Sequence, residues 1–140
     1  MDIRYPATFE PQVEGGYFVQ FVDLPDTFTE GETLAEAMFN ASEVLSGMLA
    51  VHIDAGDDVP APSQNVKDAA YIAPDAKTQV ALLMRNALGK NEVTLAHLAR
   101  VLETSWPAAK RLTDPHHWPS LKNIDRAATA MGKRLVISFE

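Results

Sequence analysis

Six carboxylates crowd one short run of the chain, "VDLPDTFTEGETLAEAMFNASE", as Asp23, Asp26, Glu30, Glu32, Glu36 and Glu43. Carboxylates at this density admit two chemistries. They can converge on a pair of divalent metals and support phosphodiester hydrolysis, with Asp23, Glu36 and Glu43 as ligands. They can also form an acidic surface that speeds encounter with a basic partner and selects it. A second group, "DPHHWP", holds His116 and His117. Adjacent imidazoles rarely aim at one ion, and no second cluster nearby in sequence completes a tetrahedral set. They read as residues that order a loop and offer a phosphate contact, with Trp118 an anchor in helix packing.

A third group lies in "TLAHLARVLETSWPAAKRL", Thr94 to Leu112. The spacing is that of a short helix, a tight turn over Glu103 and Thr104, and a second helix capped by Ser105. The pattern is a helix-turn-helix, whose second helix presents its first turns to base edges in the major groove. Ser105 and Trp106 open that helix and Lys110 and Arg111 follow one turn later. Arg and Lys suit guanine edges and phosphates, and helix N-termini favour phosphate oxygens. Thr94, Thr104, Ser105, Trp106, Lys110, Arg111, His116 and His117 are therefore the candidate DNA contacts. Glu103 stands where such turns commonly carry Gly, and Trp106-Pro107 is an unusual opening for a reading helix. A plain helical bundle with a solvated basic face is the simpler alternative.

The elements that must hold these groups follow from periodicity. Ile3, Tyr5, Ala7 and Phe9 alternate with polar residues or Pro, the period of a half-buried strand. Gly15-Gly16 can turn a hairpin into "YFVQF", whose two faces are both rather apolar, so one should lie on a helix and the other can meet a partner. A capping box, Thr33 to Glu36, opens a long helix. Leu34, Met38, Ala41, Leu45, Met48 and His52 form its expected inner face, and Gly56 its end. "DDVPAPSQNVKDAAYIAPD" is rich in proline and reads as a linker over 57–75, within which "AAYIA" can add a short strand. Helices are expected around Val80–Ala87 (closed by Gly89), from Thr94, from Ser105 and from Ser120, the last with Leu121, Ile124, Ala128 and Met131 inward. "KRLVISF" alternates like a strand, and a lone terminal strand needs a partner, which a second copy would supply.

Composition sets the outer bounds. The 140 residues are 46% hydrophobic and include no cysteine, which removes disulfides and thiolate metal sites and fits a cytoplasmic protein. No run approaches the roughly 18 apolar residues of a membrane span, and the amino terminus does not read as a signal peptide. Residues 1–75 carry 14 acidic and 2 basic side chains, while 76–140 carry 5 and 10. So unequal a division points to two modules with different partners, the basic one suited to nucleic acid.

Both halves resemble one family. "YFVQFVDLPDTFTEGETLAEAMFNA" and the following "DVPAPS" are similar to the amino-terminal domain of HicB antitoxins, and "RLTDPHHWPSLKNIDRAATAMGKRLVISF" is similar to the end of the helix-turn-helix version. The resemblance implies an α+β chain. A partial ribonuclease-H-like β-β-β-α-β domain over 1–73 precedes an all-α helix-turn-helix and dimerisation domain over 76–140 with a short terminal strand. It implies an antitoxin, not an enzyme, without metal or other cofactor. The first domain would bind and neutralise a small basic HicA-like ribonuclease. The second would bind operator DNA as a homodimer or higher oligomer, repressing the operon. On this reading Asp23, Asp26, Glu30 and Glu32 are toxin-facing surface, since no acid falls within a strand core to complete a metal pair. A stand-alone transcriptional regulator with a ligand-sensing first domain is the alternative, and a metal-dependent nuclease a lesser one.

Overall fold

The computed structural model describes residues 3–140, as a mixed α+β chain of two compact units, Met1–Gln79 and Val80–Glu140. In the first, strands β1 (Tyr5–Pro11), β2 (Tyr17–Phe21) and β3 (Phe28–Gly31) lead into helix α1 (Leu34–Asp54), and β4 (Ala70–Ile72) follows. The sheet is antiparallel throughout, ordered β3-β2-β1-β4. The hairpin between β1 and β2 closes over Gly15 and Gly16, both at positive φ (99° and 81°), a conformation that glycine adopts without steric cost. Pro6 lies opposite the point where β2 ends, and its carbonyl accepts from Val22 N–H at 3.0 Å.

Helix α1 covers one sheet face. Tyr5, Ala7, Val19, Phe21 and Ile72 are buried beneath Ala37, Ala41, Leu45, Leu49, Ala50 and Ile53. Small residues bring the helix close: a Cβ on Gly31 would collide with the Ala37 backbone nitrogen. The buried stripe steps by four, from 37 to 53, and shares only Ala41 and Leu45 with the expected 34-38-41-45-48-52 stripe. Leu34 and Met38 are 51% and 41% exposed. The reason is the turn at Gly31, which docks the first turn of α1 through Ala37 and so rotates Leu34 and Met38 outward.

The segment after α1 is not a loose linker. Tyr5 Oη donates to Pro60 O at 2.7 Å, and Tyr71 Oη donates to Ser63 O at 2.8 Å while accepting from Val66 N–H at 3.1 Å. Burial, with the Asp23 charge adding, pushes the Tyr5 hydroxyl up to about 12. The strand expected within "AAYIA" exists as β4 and pairs with β1.

Helix α2 (Ala76–Gly89) is capped by Asp75, which accepts from Thr78 N–H and Oγ1. Burial opposes the Asp75 charge, but Lys77 and both Thr78 donors hold its carboxyl below the usual range. In the second unit α3 (Leu95–Val101), α4 (Trp106–Lys110, continued by a 3-10 turn at Arg111–Thr113) and α5 (Leu121–Ala130) follow. Met84, Ala87, Val93, Leu98, Leu102, Ala109, Leu112 and Ala127 form the core. Thr94, Ser105 and Ser120 cap α3, α4 and α5 as the sequence indicates.

Helix α2 ends at Gly89 as the sequence indicates, and the turn after it passes through Asn91 in the left-handed region (φ 57°), with Glu92 N–H donating to Ala87 O. Two expectations need correction here. On α5 the buried residue is Ala127, and Leu121 is exposed. Residues 133–140 form no strand; Val136, Ile137 and Phe139 are exposed, because a strand without a ladder partner leaves its backbone groups to water.

Candidate functional site

The acids of the first unit separate into two kinds. Asp23 is drawn inward: its carboxylate accepts from Ser63 N–H at 2.8 Å and Ser63 Oγ at 2.5 Å, tying the β2–β3 loop to a residue 40 positions away. Asp26 lies 2.8 Å from His52 Nε2, and Asp57 lies 3.0 Å from Nδ1 of the same ring. Ionised carboxylates only accept hydrogen bonds, so both contacts together require the imidazolium. The hydrogen bond with Asp57 is the main cause raising the His52 pKa above its ordinary value. Partial burial opposes it, and the charge and hydrogen bond of Asp26 add to the rise. His52 therefore staples the acidic loop to the end of α1, a role beyond the inner-face position its helical spacing suggests. Asp57 is only five residues on, but the sequence does not signal the staple because its other partner, Asp26, comes from the β2–β3 loop. A shallow cavity of about 370 Å³ lies between these groups, lined by Leu24, Pro25, His52, Asp58 and Pro60 among others.

Glu30 and Glu32 are of the second kind. Both are exposed, at the end of β3 and the approach to α1, and only their backbones are engaged: Glu30 O accepts from Asn40 Nδ2, and Glu32 N–H donates to Glu36. Glu36 thus serves the helix start, accepting from the residue before the Thr33 cap, while Thr33 Oγ1 accepts from Glu36 N–H. Glu43 is exposed on α1. Among the described residues no three His, Asp or Glu side chains gather as metal ligands. Asp23, Glu36 and Glu43 each serve a separate place.

Beside Glu30 lies an apolar surface. Direct cross-strand pairing sets Glu10 opposite Phe18 and Phe18 opposite Glu30, and Thr8 opposite Gln20 and Gln20 opposite Phe28. These six share the sheet face away from α1, and the Phe18 and Phe28 rings stand 6.1 Å apart. Phe28 is 53% exposed and Val22 43%.

In the second unit α3 and α4 meet at the turn over Glu103 and Thr104. Glu103 takes a left-handed conformation (φ 53°), the geometric reason glycine is common there. Thr94 and Ser105 have their hydroxyls engaged as caps, accepting from His97 N–H and Ala108 N–H at 3.1 and 3.2 Å. Thr104, Trp106, Lys110 and Arg111 are exposed. Lys110 Nζ rests 5.5 Å from the Trp106 ring centroid, one helical turn along, which limits the lysine's rotamers. Lys110 also borders a 210 Å³ depression with Arg85, Leu88, Leu95 and Thr113, which adds Arg85 of α2 as a cation near α4. His116 is exposed and His117 half-buried in the loop that Asp114 organises, its carboxylate accepting from His116 N–H and its carbonyl from His117 N–H. Trp118 is 61% exposed and so is not the packing anchor expected of it. Among the described residues no helix is long and apolar enough to cross a membrane.

Residues 4–79 match the family described as HicB_like antitoxin of bacterial toxin-antitoxin system. The chain is 35% identical over 133 residues to Antitoxin HicB of Escherichia coli (strain K12), covering 95% of this chain and 96% of that protein. It is 30% identical over 139 residues to Antitoxin HicB 1 of Photorhabdus laumondii, covering 99% and 88%. It is 27% identical over 127 residues to Antitoxin HicB of Pseudomonas fluorescens (strain Pf0-1), covering 90% and 87%.

Proposed function

The chain belongs to the HicB-like antitoxin family, and from that premise we propose that its two units grip two different macromolecules. The family is one of antitoxins, which act by binding and not by turnover. The first unit, of partial ribonuclease-H-like design, captures and silences a small basic HicA-like ribonuclease. The second docks a helix-turn-helix, α3 and α4, on operator DNA and represses the operon, as a homodimer or larger assembly.

The observation that carries this reading is the charge division between the two units. From Met1 to Gln79 there are 14 acidic and 3 basic side chains; from Val80 to Glu140 there are 5 and 9. A field of one sign attracts a partner of the other, raising its encounter rate and discouraging the wrong ligand. Glu30 and Glu32 present the acidic surface, while Asp23 and Asp26 give their loop its shape. Lys110 and Arg111, with Thr104 and Trp106 beside them, present the basic one. Thr94 and Ser105 position the helices, and His116 and His117 lie in the loop after α4.

The test is co-expression with the short basic protein encoded beside this chain, followed by purification of the complex and titration of RNA cleavage. Cleavage should stop at about one antitoxin per toxin in the proposed stoichiometric masking. Continued cleavage, or no complex, refutes the proposal. Hydrolysis of an RNA–DNA hybrid by this chain with magnesium, lost on Asp23→Ala, would establish a nuclease instead.

A further inference from the structure

An antiparallel sheet with one face on a helix and the other in water ordinarily alternates apolar-in and polar-out. Here the outer face breaks that rule with Phe18, Val22 and Phe28. Backbone register sharpens the arrangement. Phe21 N–H donates to Thr27 O at 3.1 Å, so Phe18 and Glu30, three steps along the ladder, are a non-hydrogen-bonded pair, the kind whose side chains lie closest. Phe18 thus has Glu30 beside it on β3, Glu10 beside it on β1, and the Phe28 ring 6.1 Å away.

The edge of the same sheet is guarded. The same register turns the Glu30 carbonyl outward from β3, and Asn40 Nδ2 donates to it at 2.9 Å. Helix α1 crosses so close at Gly31 that a Cβ there collides with its backbone. Addition of a strand to β3 is therefore obstructed, and the open face beside it is a surface that a partner can reach.

Resting on the antitoxin reading, we infer that the toxin docks on this open sheet face, where the Phe18 ring between Glu10 and Glu30, with the Phe28 ring beside it, receives a lysine or arginine from the toxin's basic surface. A cation over an aromatic face is attracted by the ring quadrupole, and two flanking carboxylates add charge of the opposite sign. The occupant is a basic protein and not a second copy of this chain, because two units with 14 acidic and 3 basic side chains each would meet with like charge.

The experiment measures binding of the full chain to catalytically silenced toxin by calorimetry and stopped flow, for wild type, Phe28→Ala, Glu10→Lys/Glu30→Lys and Glu43→Lys. All substituted side chains are exposed, and circular dichroism checks folding. Phe28→Ala should raise Kd at least about tenfold, chiefly through faster dissociation. The double charge reversal should cost more, while Glu43→Lys, on α1, should stay within about twofold. Face variants that bind like wild type, or a Glu43→Lys loss as large as theirs, overturn the inference and leave the antitoxin reading standing. Wild-type protein that does not bind the toxin refutes both. A change in the chain's own oligomeric state, without loss of toxin affinity, assigns the face to a second copy and also overturns it.

Discussion

At the residue scale, His52 gives the clearest physical prediction. Its folded pKa is raised above the ordinary 6.5, so its contacts with Asp26 and Asp57 stabilise the first unit fully below pH 6.5. That contribution is lost as pH rises through the folded value. Chemical denaturation across pH 5 to 9 should show stability falling above about pH 6.5, with the slope reduced in His52→Ala. The opposite trend, or an unchanged slope in the variant, contradicts the staple. Gly31 gives a second test, independent of charge. A methyl group there must displace the α1 backbone at Ala37, so Gly31→Ala should cost about 1–3 kcal/mol in denaturant melts, with loss of toxin capture following unfolding.

At the scale of elements, helix ends explain both what could be read beforehand and what could not. The caps Thr33, Thr94, Ser105 and Ser120 were legible because hydroxyl-to-amide capping is a local interaction with a short sequence signature. The buried face of α1 was not. Its residues fit both a mixed four-three stripe and a pure four-step stripe, and docking at Gly31 selects the second. Asp23–Ser63 and His52–Asp26 join residues 40 and 26 positions apart, so the acidic cluster was visible while its division into inward and outward groups was not. The terminal segment failed as a strand for the same reason: alternation specifies a strand only when a ladder partner exists. Glu103, left-handed at the end of α3, offers a direct test. A side chain in that region costs roughly 1–2 kcal/mol and glycine returns part of this as unfolded-state entropy. Glu103→Gly should therefore stabilise the second unit by about 0.5–1 kcal/mol in thermal melts. Deleting 134–139 should shift sedimentation toward monomer and weaken operator binding, because pairing with a second copy would supply the ladder partner the single chain lacks; unchanged sedimentation refutes that pairing.

At the scale of the whole molecule, opposite charge marks two units, and the separate duties proposed for them rest on surface and field. Unit-level charge was legible from the sequence because it needs only counting, and the two compact units fall close to the same boundary. A protein built this way should tolerate loss of one grip without losing the other. The most direct measurement takes the Lys110→Ala/Arg111→Ala protein, folded by circular dichroism, and compares its operator and toxin affinities with those of wild type over a series of salt concentrations. Operator affinity should fall, with the salt slope reduced by about 2 for two lost phosphate contacts, while toxin affinity stays unchanged. Equal loss of both affinities in the folded variant would contradict the account.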